Sequence, residues 1–414
     1  MRRPDYDRRV VVTGLGVISP VGNDVQTAWG NLVHGRSGLR EITKFDVSRY
    51  EAKAAGEVRD FNAADWMDPK AVRRSESAMW FGVAAAKQAL QDSGFEITDE
   101  NREEVGVVYG SGAGGQQLMI DAWISLHEKG PRSVPPTFIA NALVDSTSGM
   151  IAIETGAIGH NVCIVSACAT GTHSVAEGAE AIRRGDCVAV ISGSTEAPLL
   201  ETAHAGFTNM RGMGLPRAGE PLADVSRPFD KSRDGFVLGE GAGVLVLERA
   251  SSAAARGRTP YAVLGGAGIT SDSYDIVAPD PEGTGQRRAA KTAIERAGVA
   301  LDDVVHVNAH ATSTPTGDGP EAAWIAELLG EDTVVTATKS MTGHLLGAAG
   351  AIEAIATVLS VARDVVPPTI NLDDPDDDVR VDVPREAREM TVSAALNDSF
   401  GFGGHNTALL FRKA

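Results

Sequence analysis

At 414 residues the chain is long enough for two or three core-forming units, and its 43% hydrophobic and 22% charged residues describe a globular enzyme. A formal net charge of −17 and a sequence pI of about 5.0 argue against nucleic-acid binding, which needs a basic surface. Three cysteines give no even-numbered disulfide framework, and neither a secretory signal nor an uninterrupted apolar run of membrane-spanning length is visible, so a soluble, cytoplasmic setting with no membrane partner is expected.

Short apolar runs alternate with helical stretches along the chain. In the first half the predicted strands are Arg9 to Gly14, Val105 to Gly110, Val162 to Ser166, Cys187 to Gly193 and Gly243 to Glu248. In the second they are Tyr261 to Ile269, Val304 to His310, Thr333 to Thr338, Met390 to Asn397 and Thr407 to Phe411. Such alternation implies βαβ units around a buried sheet. The Ala-, Ser-, Arg- and Gly-rich stretch Arg249 to Pro260 divides the two sets, giving units 1–257 and 258–414. The halves echo each other in order. Cys168 stands between a strand and a small-residue helix starting near Ser174, and Gly343-His344 stands between Thr336 to Lys339 and a helix from Leu346. An internal duplication with the active site between the halves is the expectation. Segments 115–150 and 202–236 interrupt the pattern and read as long functional loops. In Asp68-Pro69-Lys70-Ala71-Val72-Arg73-Arg74 the spacing puts three cations on one predicted helix face, either a solvated face or a patch for an acidic protein. The acidic run Asp373 to Asp378 reads as a solvated surface turn.

The run Val165-Ser166-Ala167-Cys168-Ala169-Thr170-Gly171 carries the sharpest chemical signal. A thiol at a strand-to-helix turn meets unpaired N–H groups and the positive end of a helix dipole, which favour the thiolate. Small neighbours leave the sulfur open to a substrate. Free cysteines are also commonly inert core residues, and Cys163 and Cys187, in apolar runs, are assigned to the core. His310 lies in Asn308-Ala309-His310-Ala311-Thr312-Ser313-Thr314, and His344 in Thr338-Lys339-Ser340-Met341-Thr342-Gly343-His344. A Gly-rich turn, Ser399-Phe400-Gly401-Phe402-Gly403-Gly404-His405-Asn406, follows near the C-terminus. One cysteine with distant histidines is an arrangement for nucleophilic catalysis. No CxxC or HExxH spacing appears, so no metal site is expected.

On these motifs, with Val10-Val11-Val12-Thr13-Gly14-Leu15-Gly16, Arg227-Pro228-Phe229-Asp230 and Asp234-Gly235-Phe236, the sequence resembles the β-ketoacyl-acyl-carrier-protein synthases. These are condensing enzymes of the thiolase superfamily, and the likeness is to the synthase II type of fatty-acid elongation. It covers nearly the whole chain. The resemblance implies an α/β fold, a five-layered αβαβα sandwich made of two duplicated βα halves, assembled as a homodimer. The implied reaction is a decarboxylative Claisen condensation of an acyl group, held as a thioester on Cys168, with malonyl-acyl carrier protein. No cofactor is implied, since both substrates ride on the phosphopantetheine of the carrier.

The resemblance also assigns residues. The N–H groups of Cys168 and Phe402 would form an oxyanion hole. His310 and His344, as neutral imidazoles donating through Nε2, would assist decarboxylation, with Lys339 paired to Glu353 as their organiser. Thr312 and Thr314 match the phosphopantetheine contacts. Ala113, Phe207, Phe402 and Glu353 fall among the substrate-binding positions, Phe402 doubling as a gate. Lys70, Arg73, Arg74 and Arg211 match positions that dock the acidic carrier protein. Three departures bear on the substrate: Ala113 stands where many relatives carry a larger acyl-pocket residue, His405 replaces a common threonine, and Asp398 adds a carboxylate near the Gly-rich turn. A ketosynthase of a polyketide or other specialised pathway uses the same chemistry and is the alternative. A silent chain-length partner generally lacks the cysteine. A degradative thiolase would use a second cysteine near the last Gly-rich turn, and none follows Cys187.

Overall fold

The computed structural model describes residues 8–414. In the first half the main strands are β1 (Val10–Ile18), β2 (Val105–Gly110), β3 (Asn161–Val162), β4 (Ala189–Glu196) and β5 (Gly241–Arg249), with helices α1 (Ser77–Ser93) and α2 (Thr170–Arg184). In the second half they are β6 (Ala262–Ser271), β7 (Val304–Asn308), β8 (Val334–Thr336), β9 (Ala394–Gly401) and β10 (His405–Arg412), with α3 (Thr284–Ala297), α4 (Asp318–Leu329) and α5 (Ala349–Arg363). β1 is buried along its whole length, as its run of Val and Leu requires.

The two halves repeat one topology. The order is β3-β2-β4-β5-β1 in the first and β8-β7-β9-β10-β6 in the second, with the fourth strand of each half, in order of sheet position, antiparallel to both neighbours. The sheets join edge to edge where β1 pairs antiparallel with β6 at Val10↔Leu264, Val11↔Val263 and Val12↔Ala262. Helix α1 packs on the first sheet and α3 on the second, while α2 and α5 touch each other and strands of both sheets. These are the five layers, α/β/α/β/α.

Glycine lets the two central helices meet near their starts. A Cβ on Gly171 would sit 2.5 Å from the Ala351 nitrogen, and one on Gly350 would run into Thr172. Gly171 is the second residue of α2 and Gly350 the second of α5. The contact is therefore symmetric under the duplication, and it brings two helix N-termini to one place.

Several expectations need correction. Of Val162 to Ser166 only Val162 joins the sheet, in the two-residue strand Asn161–Val162, because the Ser166 N–H goes to Thr170 Oγ1 (2.9 Å) and the chain bends into the Cys168 turn. The last parallel strand starts at Ala394 rather than Met390, since Arg388–Glu389 pairs with Val365–Val366 in a ladder of its own. Segment 115–150 is largely helical, over Gln116–Lys129, Phe138–Ala142 and the start of Ser146–Thr155. It leaves Trp123 63% exposed, with Ile153 just beyond it 77% exposed. The helix carrying Lys70 is a single turn, Pro69–Val72, so Arg73 caps it and Arg74 lies past its end rather than on a shared face. Cys163 is only half-buried, its Sγ–H donating to the Val144 carbonyl (3.3 Å), whereas Cys187 is buried. The acidic run is not a free turn. Asp373 and Asp374 donate their N–H groups to Asp230, and Asp376 pairs with Arg233 at 2.7 Å. Among the described residues one stretch, Leu346–Arg363, is long and apolar enough to cross a bilayer, but it forms the central helix α5 and its leading turn.

Candidate active site

The duplicated helix starts build the centre of the site. Each helix is preceded by a single 3₁₀ turn, Ala167–Ala169 before α2 and Leu346–Ala348 before α5. The first residue of each turn is forced into the left-handed region, Ala167 at φ 49° and Leu346 at φ 46°. Cys168 is the second residue of the first turn, and its counterpart in the second is Gly347.

A cavity of about 550 Å³ opens here. It brings together Cys168, His310, His344 and Phe402, with Thr312, Thr314, Ala113, Phe207 and Arg211 also in its wall. Lys339 and Glu353 lie behind the wall as a buried ion pair, so Glu353 is corrected from a substrate contact to a partner of Lys339. Lys70, Arg73 and Arg74 are exposed, outside the cavity, and without an ion pair among the described residues. Phe402 is 37% exposed on the β9–β10 turn, where Gly403 and Gly404 both take positive φ.

The resting sulfur is a thiol, which corrects the expectation of a thiolate. Burial pushes the Cys168 thiol up to about 12. The Lys339 charge and the backbone N–H groups of Phe402 and Cys168 pull the other way and do not overcome it. Those same two amides are aimed at the sulfur.

The imidazoles of His310 and His344 stand edge to face, 5.3 Å between centroids and 87° between planes. Phe236 packs on His344 (5.5 Å) and Phe400 on His310 (5.6 Å), fixing both rings with apolar neighbours. Burial first, and the Lys339 charge second, hold both rings well below the ordinary histidine range, so both are neutral near pH 7. Their Nδ1 atoms are closed off without a hydrogen-bond partner. Lys339 is only 1% exposed, and its charge reaches Cys168 and both rings.

Sequence reasoning missed two carboxylate sites. Glu321, in the first turn of α4, accepts from the His310 N–H (2.7 Å) and the Ala311 N–H (2.7 Å). Asp398, flagged only as a departure, accepts from the same His310 N–H at 2.9 Å. Burial first, and the neighbouring Asp398 second, raise the Glu321 carboxyl well above its ordinary range, and burial pushes Asp398 up to about 7. The spacing Asp318-x-x-Glu321 at a helix start was the available signal. Glu196, at the end of β4, is buried in the cavity wall, and burial pushes its carboxyl up to about 7. Nothing in the sequence separates it from a solvated strand end.

Comparison with known proteins identifies the family. Residues 7–253 match the family described as Beta-ketoacyl synthase, N-terminal domain, and residues 261–373 match Beta-ketoacyl synthase, C-terminal domain. A 3-oxoacyl-[acyl-carrier-protein] synthase 2 of Staphylococcus aureus (strain N315) is 44% identical over 98% of this chain and 99% of its own length. Among solved structures, the ishigamide ketosynthase/chain length factor superposes with a TM-score of 0.91 at 33% identity, covering 99% of this chain and 100% of that one. A type II PKS acyl-carrier protein in complex with its ketosynthase bound to the hexaketide gives a TM-score of 0.90 at 29% identity, covering 99% and 100%.

Proposed function

This chain belongs to the β-ketoacyl synthase family, and from that premise we propose that it is a 3-oxoacyl-[acyl-carrier-protein] synthase of the fatty-acid elongating type. One observation carries the reading. A single cavity holds a cysteine, two imidazoles kept neutral by burial, and two amide N–H groups aimed at the sulfur.

The steps follow from those groups. Sγ of Cys168 attacks the thioester carbonyl of an acyl-carrier protein, and the amides of Cys168 and Phe402 take the oxyanion. The thiol proton ends on the departing pantetheine sulfur, so the acyl-enzyme forms with no net charge left in the pocket. Malonyl-carrier protein then loses carbon dioxide. Its C–C electron pair becomes an enolate, whose oxygen accepts hydrogen bonds from the neutral imidazoles. With Nδ1 closed in each ring, Nε2 is the nitrogen that serves the substrate. Neutral rings suit this step, because an imidazolium would hold the malonyl carboxylate as a salt bridge and stabilise the ground state. The enolate carbon attacks the acyl-Cys168 carbonyl, the sulfur leaves, and it regains a proton from water.

Thr312 and Thr314, whose hydroxyls lie 3.2 Å apart in the wall, suit the amide-bearing pantetheine arm. Arg211, in the cavity wall, and the exposed Lys70, Arg73 and Arg74 offer cations to an acidic carrier protein, the kind of partner held by the type II ketosynthase relative. Ala113 leaves room for a long or branched acyl chain. The exposed Trp123, Ile139 and Ile153, and the short edge strand β3, suit burial against a second copy, as a homodimer would provide. The cytoplasm is the compartment this reading implies. A fatty-acid role is favoured over a polyketide one by 44% identity to the synthase 2 relative against 33% and 29% to the two ketosynthase structures.

The test supplies malonyl-carrier protein with acyl-carrier proteins of graded length. The proposal expects 3-oxoacyl-carrier protein and carbon dioxide in equal amounts, with saturated chains preferred. Turnover of polyketide-type intermediates alone would transfer the chain to the alternative pathway.

A further inference from the structure

We propose that Glu196 is a positioning residue that holds the acyl wall at Ala113 against the turn following His344, and so helps set acyl-chain selectivity. The proposal rests on the synthase reading above and deepens it. Glu196 is buried at the end of β4, with no cation paired to it among the described residues. Four donors satisfy it instead. Oε1 accepts from Ser111 Oγ (3.1 Å) and the Ala113 N–H (3.1 Å), and Oε2 accepts from the Gly112 N–H (2.7 Å) and the Gly347 N–H (3.1 Å).

The duplication explains why a carboxylate belongs there. Gly347 is the counterpart of Cys168, the second residue of an identical strained turn. In the first half that amide faces the reactive sulfur. In the second half it faces Glu196, a built-in anion at the second helix start. The fit is close. A Cβ on Gly347 would come within 2.6 Å of the Gly112 nitrogen, and one on Gly112 within 2.7 Å of Glu196 Oε2. One side chain thus ties a first-half loop that lines the acyl cavity to a second-half turn three residues past His344.

Glu196→Gln separates the two ties. An amide presents one acceptor oxygen and one NH₂. With its NH₂ at the Oε2 position it would face two N–H groups, Gly112 and Gly347, that cannot reverse. At the Oε1 position it faces Ser111, whose hydroxyl can turn to accept, and only the Ala113 N–H loses its partner. The variant therefore loosens the Ala113 wall and keeps Gly347 held.

The experiment measures kcat and KM for short and long acyl-carrier proteins, together with the pH profile of Cys168 alkylation. The expected result is a change of about fivefold in the long-to-short selectivity ratio, the worth of one hydrogen bond, carried mainly by KM. Removing a negative charge near the sulfur should also move the alkylation profile to lower pH. A folded variant with unchanged selectivity, or with kcat lost equally for every chain, overturns the proposal. If the native protein accepts no acyl chain at all, the synthase reading fails on its own, and an unshifted alkylation profile then overturns the role of Glu196. Ser111→Ala, which removes one donor of the four, serves if Glu196→Gln does not fold, and it should shift selectivity in the same direction by a smaller factor.

Discussion

Lys339→Met strands a charge in the core. Lys339 and Glu353 are 1% and 2% exposed and pair with each other, and the second carboxylate oxygen of Glu353 has no hydrogen-bond partner. Methionine matches the lysine stem in length and leaves Glu353 alone in a dry setting. Breaking a buried pair in this way costs about 3–5 kcal/mol, or roughly two to four powers of ten in the folding equilibrium. The sign of the pH dependence follows from Glu353. Burial raises its carboxyl above 4.5, and Lys339 opposes that rise. A carboxyl raised in the folded state favours folding while protonated, and that support is lost as pH climbs from 4.5 through the folded value. Without Lys339 the folded value rises further, so the deficit of the variant grows with pH. Urea denaturation at about pH 5 and about pH 8 measures it. The double variant Lys339→Met/Glu353→Gln removes the stranded charge and should recover most of the loss. It should not recover condensation, because the cation that biases both imidazoles is still missing. An equal deficit at both pH values, or a double variant as unstable as the single one, refutes the reasoning.

Three further outcomes are expected. Cys168→Gln should still release carbon dioxide from malonyl-carrier protein without condensing it, since the imidazoles act apart from the sulfur; a folded variant with no release contradicts the division of labour. His310→Ala and His344→Ala should each slow that release by about 10²–10⁴-fold, measured by trapped carbon dioxide, and a smaller effect at either ring removes it from the decarboxylation step. Alkylation of Cys168 by iodoacetamide in the free protein should rise about tenfold per pH unit between neutral and alkaline pH, because the thiol sits at about 12; a plateau near pH 7 would restore the resting thiolate.

The strand pattern and the duplication were legible because buried parallel strands read as runs of Val, Ile and Leu, and the same order recurs in β1 to β5 and β6 to β10. Cys168, His310 and His344 were legible because chemistry at strand ends leaves small residues and glycines around the reacting group. What stayed hidden depends on three-dimensional closure. The helix-start environment of Cys168 suggested a thiolate, yet the turn is so enclosed that burial outweighs both the amides and Lys339. Glu196 meets its four donors only when residues 111–113 and 347 converge from opposite halves. The anchoring of Asp373, Asp374 and Asp376 on Asp230 and Arg233 likewise joins segments about 140 residues apart, a contact no local pattern encodes.

Intact-mass analysis of the protein mixed with an acyl-carrier protein tests the account at its centre. One acyl group should appear on the native chain, map to Cys168, and discharge into a 3-oxoacyl product once malonyl-carrier protein is added. A Cys168→Ala protein that still yields that product, or an adduct that maps to another residue, would contradict it.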